Sequence, residues 1–184
     1  MHPTGRYTLT AIALHWLLAL AIVVMFAVGL YMTSLSFSPT RLRLFNWHKW
    51  AGISILALST LRLLWRLWHR PPADLPMPAW QRRAAHLAHG LLYGLFFAVP
   101  LAGWGYSSAA GFPVVVFGVL PLPDFVPVSR ALAETLKLVH HWLAYGLAAV
   151  VVLHITGALK HHFIDRDGLL LRMRPGRDPA AAGR

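Results

Sequence analysis

"HHWLAYGLAAVVVLHITGALKHHF", residues 140–163, carries five histidines and no acidic residue. Its middle is long and apolar enough to cross a bilayer core, which takes about 20 residues of helix. Hydrocarbon is a costly place for an imidazole unless something binds it, so ionisable residues inside a span mark function. His140 and His154 are fourteen residues apart. At 100° and 1.5 Å per residue, they lie within about 40° of one helix face and about 21 Å apart along the axis. One face of this helix therefore presents an imidazole near each membrane surface.

The rest of the chain suits a membrane setting. It has 184 residues, read as a single domain spanning 1–184, with 57% hydrophobic and 12% charged residues and a mean hydropathy of +0.55. Soluble domains are about 25% charged. The formal net charge of +11 sits in short clusters between apolar runs. That is the pattern that orients membrane spans, and it argues against a nucleic-acid partner. The chain has no cysteine, which excludes disulfides, iron–sulfur clusters, covalent haem attachment and thiolate ligation. Any redox metal must be held by histidine, methionine or oxygen.

Four segments are expected to span: about 10–32, 47–68, 85–108 and 136–160, with a tail at 161–184. The fold class expected is an all-α integral membrane protein, a four-transmembrane-helix bundle. The first apolar run exceeds a signal-peptide core and is read as a retained span. "VVVFGVL" at 114–120 is too short to cross and is expected at the interface or over the bundle end. The N-terminus, the second connection with its flanks and the tail carry twelve Lys and Arg residues, against five on the other side (Arg41, Arg43, Lys49, Arg130 and Lys137). Positive charge stays inside, so both termini are expected to be cytoplasmic. Tryptophans gather at span ends as an aromatic belt does. The C-terminal "RMRPGRDPAAAGR" (172–184) is basic and rich in small residues, and is expected to be disordered.

With this topology the histidines sort by depth. His15 lies near the inner start of span one, and His154 near the inner end of span four. His48 opens span two at the outer level, where His140 also stands. Two pairs result, His15 with His154 and His48 with His140, each joining two helices. Paired imidazoles facing across a helical bundle are an axial-ligand set for haem iron. The alternative is that each histidine only bonds neighbouring helices together.

"ALHWLLA" (13–19), "NWHKWAGISIL" (46–56) with "LRLLWRL" (61–67), "HLAHGLLYGLFFAVPLAGW" (86–104) and "LHITGALKHHFIDRDGLLLRM" (153–173) resemble the bacterial cytochrome b561 family over nearly the whole chain. The resemblance implies a multi-pass protein of the bacterial inner membrane with two b-type haems. Its ligand histidines match His15, His48, His140 and His154. At "VHHW" a second histidine, His141, stands beside His140, about 100° around the helix.

Other polar residues are placed by spacing. Arg62 follows His48 by fourteen residues and shares its face at the inner level. It is read as a partner for a haem propionate or a quinone, or else as a snorkelling charge; Arg66 is read as snorkelling. His86 and His89 are three apart, with no carboxylate or thiol recognised beside them to complete a metal site. His89 is read as a neighbour of the inner haem or of a quinone. His161 is a candidate quinone contact, set against a plain juxtamembrane reading. His2 and His69 are read as incidental. Gly52 and Gly157 are read as room for a macrocycle, and Gly90 with Gly94 as a small-residue pair suited to close helix or dimer contact.

Two saturated irons exchange electrons rather than activate oxygen. No dinucleotide fingerprint, phosphate loop or nucleophile constellation is present. The resemblance implies superoxide oxidase activity, in which superoxide gives electrons at the outer face and ubiquinone is reduced in the membrane. Basic residues on the outer side would attract the anion. The alternative is a non-catalytic electron-transfer subunit serving a soluble redox partner protein. Partners expected are lipid, superoxide and ubiquinone, with a homodimer possible.

Overall fold

The computed structural model describes residues 5–174. It contains four long helices, α1 (Leu9–Ser34), α2 (Pro39–Trp68), α3 (Ala79–Ala109) and α4 (Arg130–Lys160). All four are long and apolar enough to cross a membrane. Helices suit that solvent because every backbone group is bonded within the segment. Their outer surfaces carry large exposed apolar side chains such as Leu20, Val23, Leu64, Val152 and Leu153, which a lipid environment covers.

The helices start earlier than the apolar windows expected. α2 begins at Pro39 rather than near 47, α3 at Ala79 rather than near 85, and α4 at Arg130 rather than near 136. Hydropathy finds only the lipid-crossing part, whereas caps set the true ends. Thr8, Ser38 and Ser129 each accept a hydrogen bond from the backbone N–H three residues on, and Pro39 fills the first turn, where its missing N–H costs nothing.

α1 packs on α2, α2 on α3, and α3 most extensively on α4, while α4 approaches α1 and α2 much less closely. The result is an apolar cavity of about 320 Å³ between the helices, with His48, Gly52, Pro100 and His140 in its wall. The segment 114–120 covers one end of the bundle. Val115–Val116 (β1) pairs antiparallel with Leu120–Pro121 (β2), a two-residue ladder within an otherwise helical fold. Val114 and Val116 are buried beneath it. Lys49 donates to the carbonyls of Phe112 and Pro113 at 3.4 Å, and Trp50 stacks at a tilt on Phe117, so α2 holds the hairpin in place.

At the opposite end, α4 runs into a π-helical turn (His161–Asp165), and Arg166 and Gly168 reverse the chain in left-handed conformations. A 3-10 helix (Leu169–Met173) follows. Here the expected disorder fails for Arg172, Met173 and Arg174. Trp16 Nε1 donates to the Met173 carbonyl at 2.8 Å, Arg6 donates to the Arg174 carbonyl at 2.5 Å, and Arg172 donates to the Ala73 carbonyl at 2.7 Å. Composition cannot reveal this docking, because the acceptors are backbone carbonyls. The remainder of the predicted disordered tail (175–184) and His2 lie outside the described residues.

Candidate functional site

Two histidine pairs face each other across the bundle. The rings of His15 (α1) and His154 (α4) have centroids 6.1 Å apart, as do those of His48 (α2) and His140 (α4). A metal bound by imidazole nitrogen sits about 2 Å from it. Two such bonds plus the two ring radii come to roughly 6 Å. Each gap is therefore of the size that one metal centre between two imidazoles needs.

The His48–His140 pair shows how backbone shape prepares a ligand. His140 Nδ1 lies 2.9 Å from the Val99 carbonyl on α3, so that nitrogen donates and the other is left with its lone pair free. The ring reaches this position because residue 103 is glycine; a Cβ there would stand 3.0 Å from His140 Cε1 and Nδ1. Gly29 does the same on α1, where a Cβ would stand 3.3 Å from His48 Cε1. His48 Nδ1 is buried with no hydrogen-bond partner. A buried orphaned nitrogen is costly, and a bound group between the rings is what this polar cradle suits. His141 instead turns onto Tyr145, ring to ring at 4.7 Å, and away from this pair.

At the His15–His154 pair a third imidazole joins. His89 on α3 lies 5.3 Å from the His154 ring. Arg62 points into the same region, with Nε 3.4 Å from the Tyr93 hydroxyl and Nη1 buried without a partner. A guanidinium with a buried, unpartnered Nη1 is suited to a carboxylate such as a haem propionate. Arg66 lies over the Tyr93 ring at 5.7 Å.

His86 and His89 do not act together. His86 is exposed and pairs with Asp74 at 3.1 Å. The connection folds that carboxylate back onto α3, which corrects the expectation that none accompanies this histidine. His69 stacks on Trp65 with centroids 3.9 Å apart, at the same helix end.

His161 sits in the π-turn, its side chain 12% exposed, with Nδ1 2.5 Å from Asp167 and 3.3 Å from Asp165. Lys160 also grips Asp165 at 2.6 Å. Burial pushes the Asp167 carboxyl up, but the Leu169 backbone N–H and His161 outweigh it and hold the group below its ordinary value. Asp165 and Asp167 were legible only as two acids in "HHFIDRDG". Gly29, Gly103 and Val99 carried no signal as site residues. Gly52 lines the cavity, and a Cβ at Gly157 would meet nothing within 4 Å.

The family model of prokaryotic cytochrome b561 matches residues 6–176. The chain is 38% identical over 176 residues to "Cytochrome b561 homolog 2" of Escherichia coli, covering 91% of this chain and 90% of that one. It is 33% identical over 181 residues to "Cytochrome b561 homolog 1" of the same species, covering 94% and 99%. It is 31% identical over 175 residues to "Probable superoxide oxidase CybB" of Yersinia pestis, covering 92% and 96%. The chain therefore belongs to the prokaryotic cytochrome b561 family, haem-b electron-transfer proteins of the bacterial inner membrane.

Proposed function

We propose that the chain holds two haems b, one between His15 and His154 and one between His48 and His140, and that it oxidises superoxide to oxygen on the periplasmic side while reducing ubiquinone. The observation that carries this reading is the matched pair of 6.1 Å imidazole gaps at opposite ends of one bundle. The relative named a probable superoxide oxidase supports the choice of substrate. The charge bias supports cytoplasmic termini, which puts His48 and His140 on the outer side.

Two superoxide anions each give up one electron and leave as oxygen. Ubiquinone takes both electrons with two protons and leaves as ubiquinol. The haems supply reversible one-electron chemistry at two depths. Arg41, Arg43, Arg130 and Lys137 create a positive field at the outer end that draws in the small anion. Arg62 would hold a haem propionate at the His15–His154 pair, and His89 would stand beside that space. His161, its Nδ1–H donating to Asp167, keeps the lone pair of its other ring nitrogen for the hydroxyl of the quinol product.

The test is pulse-generated superoxide with haem absorbance followed at several ionic strengths, with and without ubiquinone. Fast reduction at low salt, slowing as the Debye length falls from about 30 Å at 0.01 M to about 10 Å at 0.1 M, then quinol formation, is expected. Slow reduction with no salt dependence would reject superoxide as the donor. A second reading, an electron-transfer subunit for a soluble partner, is favoured by the exposed apolar side chains Phe112, Phe117 and Val119 at the outer end. It would be supported by reduction that requires such a partner.

A further inference from the structure

A cleft of about 770 Å³ opens at the end of the bundle where the segment before α1 meets the 3-10 helix. Its walls come from the segment before α1, the end of α2, the α2–α3 connection and the 3-10 helix. Five arginines line it, Arg6, Arg62, Arg66, Arg70 and Arg172, against one acid, Asp74. Asp74 is already paired with His86. Among the described residues none of the five arginines makes an ion pair, and Arg6 and Arg172 spend hydrogen bonds only on backbone carbonyls. With Arg62 assigned to the histidine level, holding the other four like charges together with no paired carboxylate is unfavourable, so the cleft suits an anion.

The other half of the lining is apolar: Trp65, Pro71, Pro72, Leu75, Pro76 and Met173. Trp65 is fixed by its Nε1 donating to Thr8 Oγ1 at 2.8 Å. Outside the cleft, Leu67, Trp68 and Trp80 are exposed, as residues at the level of lipid headgroups are. A soluble phosphate would use the arginines but leave these walls idle. A phosphate carried on acyl chains uses both. Basic pockets between helix ends at a membrane surface are the form such recognition takes.

We propose that this cleft is a binding site for the phosphate headgroup of an anionic phospholipid, gripped by Arg6, Arg70 and Arg172. Arg62, at its inner edge, is left to the inner histidine level. The lipid would tie together the segment before α1, the α2–α3 connection and the 3-10 helix, pieces otherwise joined by hydrogen bonds from Tyr7 and Arg6 to the Arg172 and Arg174 carbonyls and from Arg172 to the Ala73 carbonyl.

The test uses the full haem-loaded chain in equal mixtures of phosphatidylglycerol and phosphatidylcholine, followed by counting lipids retained by native mass spectrometry. Phosphatidylglycerol should be retained in preference. Each arginine near a headgroup is worth about fivefold in affinity, so Arg70→Gln should weaken that preference about fivefold and Arg70→Glu about 25-fold, with haem content unchanged. Arg70 makes no hydrogen bond to a described residue, so neither variant should disturb the fold. Haem content and superoxide kinetics are read separately, so loss of lipid preference is distinguishable from loss of the proposed activity. Equal retention of the two lipids, or a preference untouched by Arg70→Glu, overturns the site. Displacement of phosphatidylglycerol by inorganic phosphate at equal concentration overturns the lipid assignment in favour of a soluble phosphate.

Discussion

His140 Nδ1 is 2.9 Å from the Val99 carbonyl, and a Cβ at Gly103, one turn along the same helix, would stand 3.0 Å from the ring and force it to give by a few tenths of an ångström. Hydrogen bond and steric opening act on one ring, fixing both its tautomer and its aim toward His48. Gly103→Ala should therefore displace the His140 ring and lower occupancy of the outer haem. Orienting contacts of this kind are worth about 10- to 100-fold in metal affinity. Helix propensity alone would favour alanine by about 0.5–1 kcal/mol, so a loss would come from sterics. Gly29→Ala, with the gentler 3.3 Å approach to His48, should cost less, and Gly90→Ala, where a Cβ meets nothing within 4 Å, should be silent. Haem-to-protein ratio by pyridine haemochrome reads all three, and an unaffected Gly103→Ala would contradict the packing argument.

Ligand roles separate by level. His15→Ala or His154→Ala should remove the inner haem and keep the outer; His48→Ala or His140→Ala should do the reverse. The intact chain should give about two haems and each variant about one. His141→Ala should keep both, because its ring lies against Tyr145 rather than opposite His48. Loss of a haem in His141→Ala with His140→Ala intact would reverse the assignment within the pair.

Topology is checked by reporter fusions. Fusions after Arg172 and within 72–80 should report a cytoplasmic location, and fusions near Ser38 or Asp124 a periplasmic one, following the bias in Lys and Arg. A periplasmic C-terminus would exchange inner and outer throughout and move the proposed superoxide entry to His15 and His154.

Much of this molecule was legible because two periodicities coincide. The fourteen-residue step from His140 to His154 is nearly a whole number of helical turns, so sequence spacing alone set one face and two depths. Spans were legible because lipid demands long apolar helices. What stayed hidden depended on backbone atoms and on empty space. Val99 acts through its carbonyl, and Gly29 and Gly103 through the absence of a Cβ. Gly52 and Gly157, read as room for a macrocycle, have open space where a Cβ would stand. The docking of Met173 onto Trp16 likewise runs through a carbonyl that composition cannot distinguish from any other.

The last prediction concerns the turn that carries His161. Asp167 accepts from the Leu169 N–H at 2.9 Å and from His161 at 2.5 Å, and its carboxyl is held below the ordinary 3.8. A carboxylate with a folded pKa below its unfolded one stabilises the fold fully above the unfolded value. That contribution is lost as pH falls from 3.8 through the lower folded value. Acidification below 3.8 should thus loosen the turn and release the 3-10 helix behind it. Trp16 reports the event, since its indole is bonded to Met173 at the end of that helix. Its fluorescence should shift toward a wetter environment in this range, with a Trp16→Phe variant as the blank that isolates its signal. Asp167→Asn removes the titrating group, so this variant should show a loosened turn already at neutral pH and no further acid transition there. An acid transition that persists unchanged in Asp167→Asn would mean that another group, not Asp167, governs the turn.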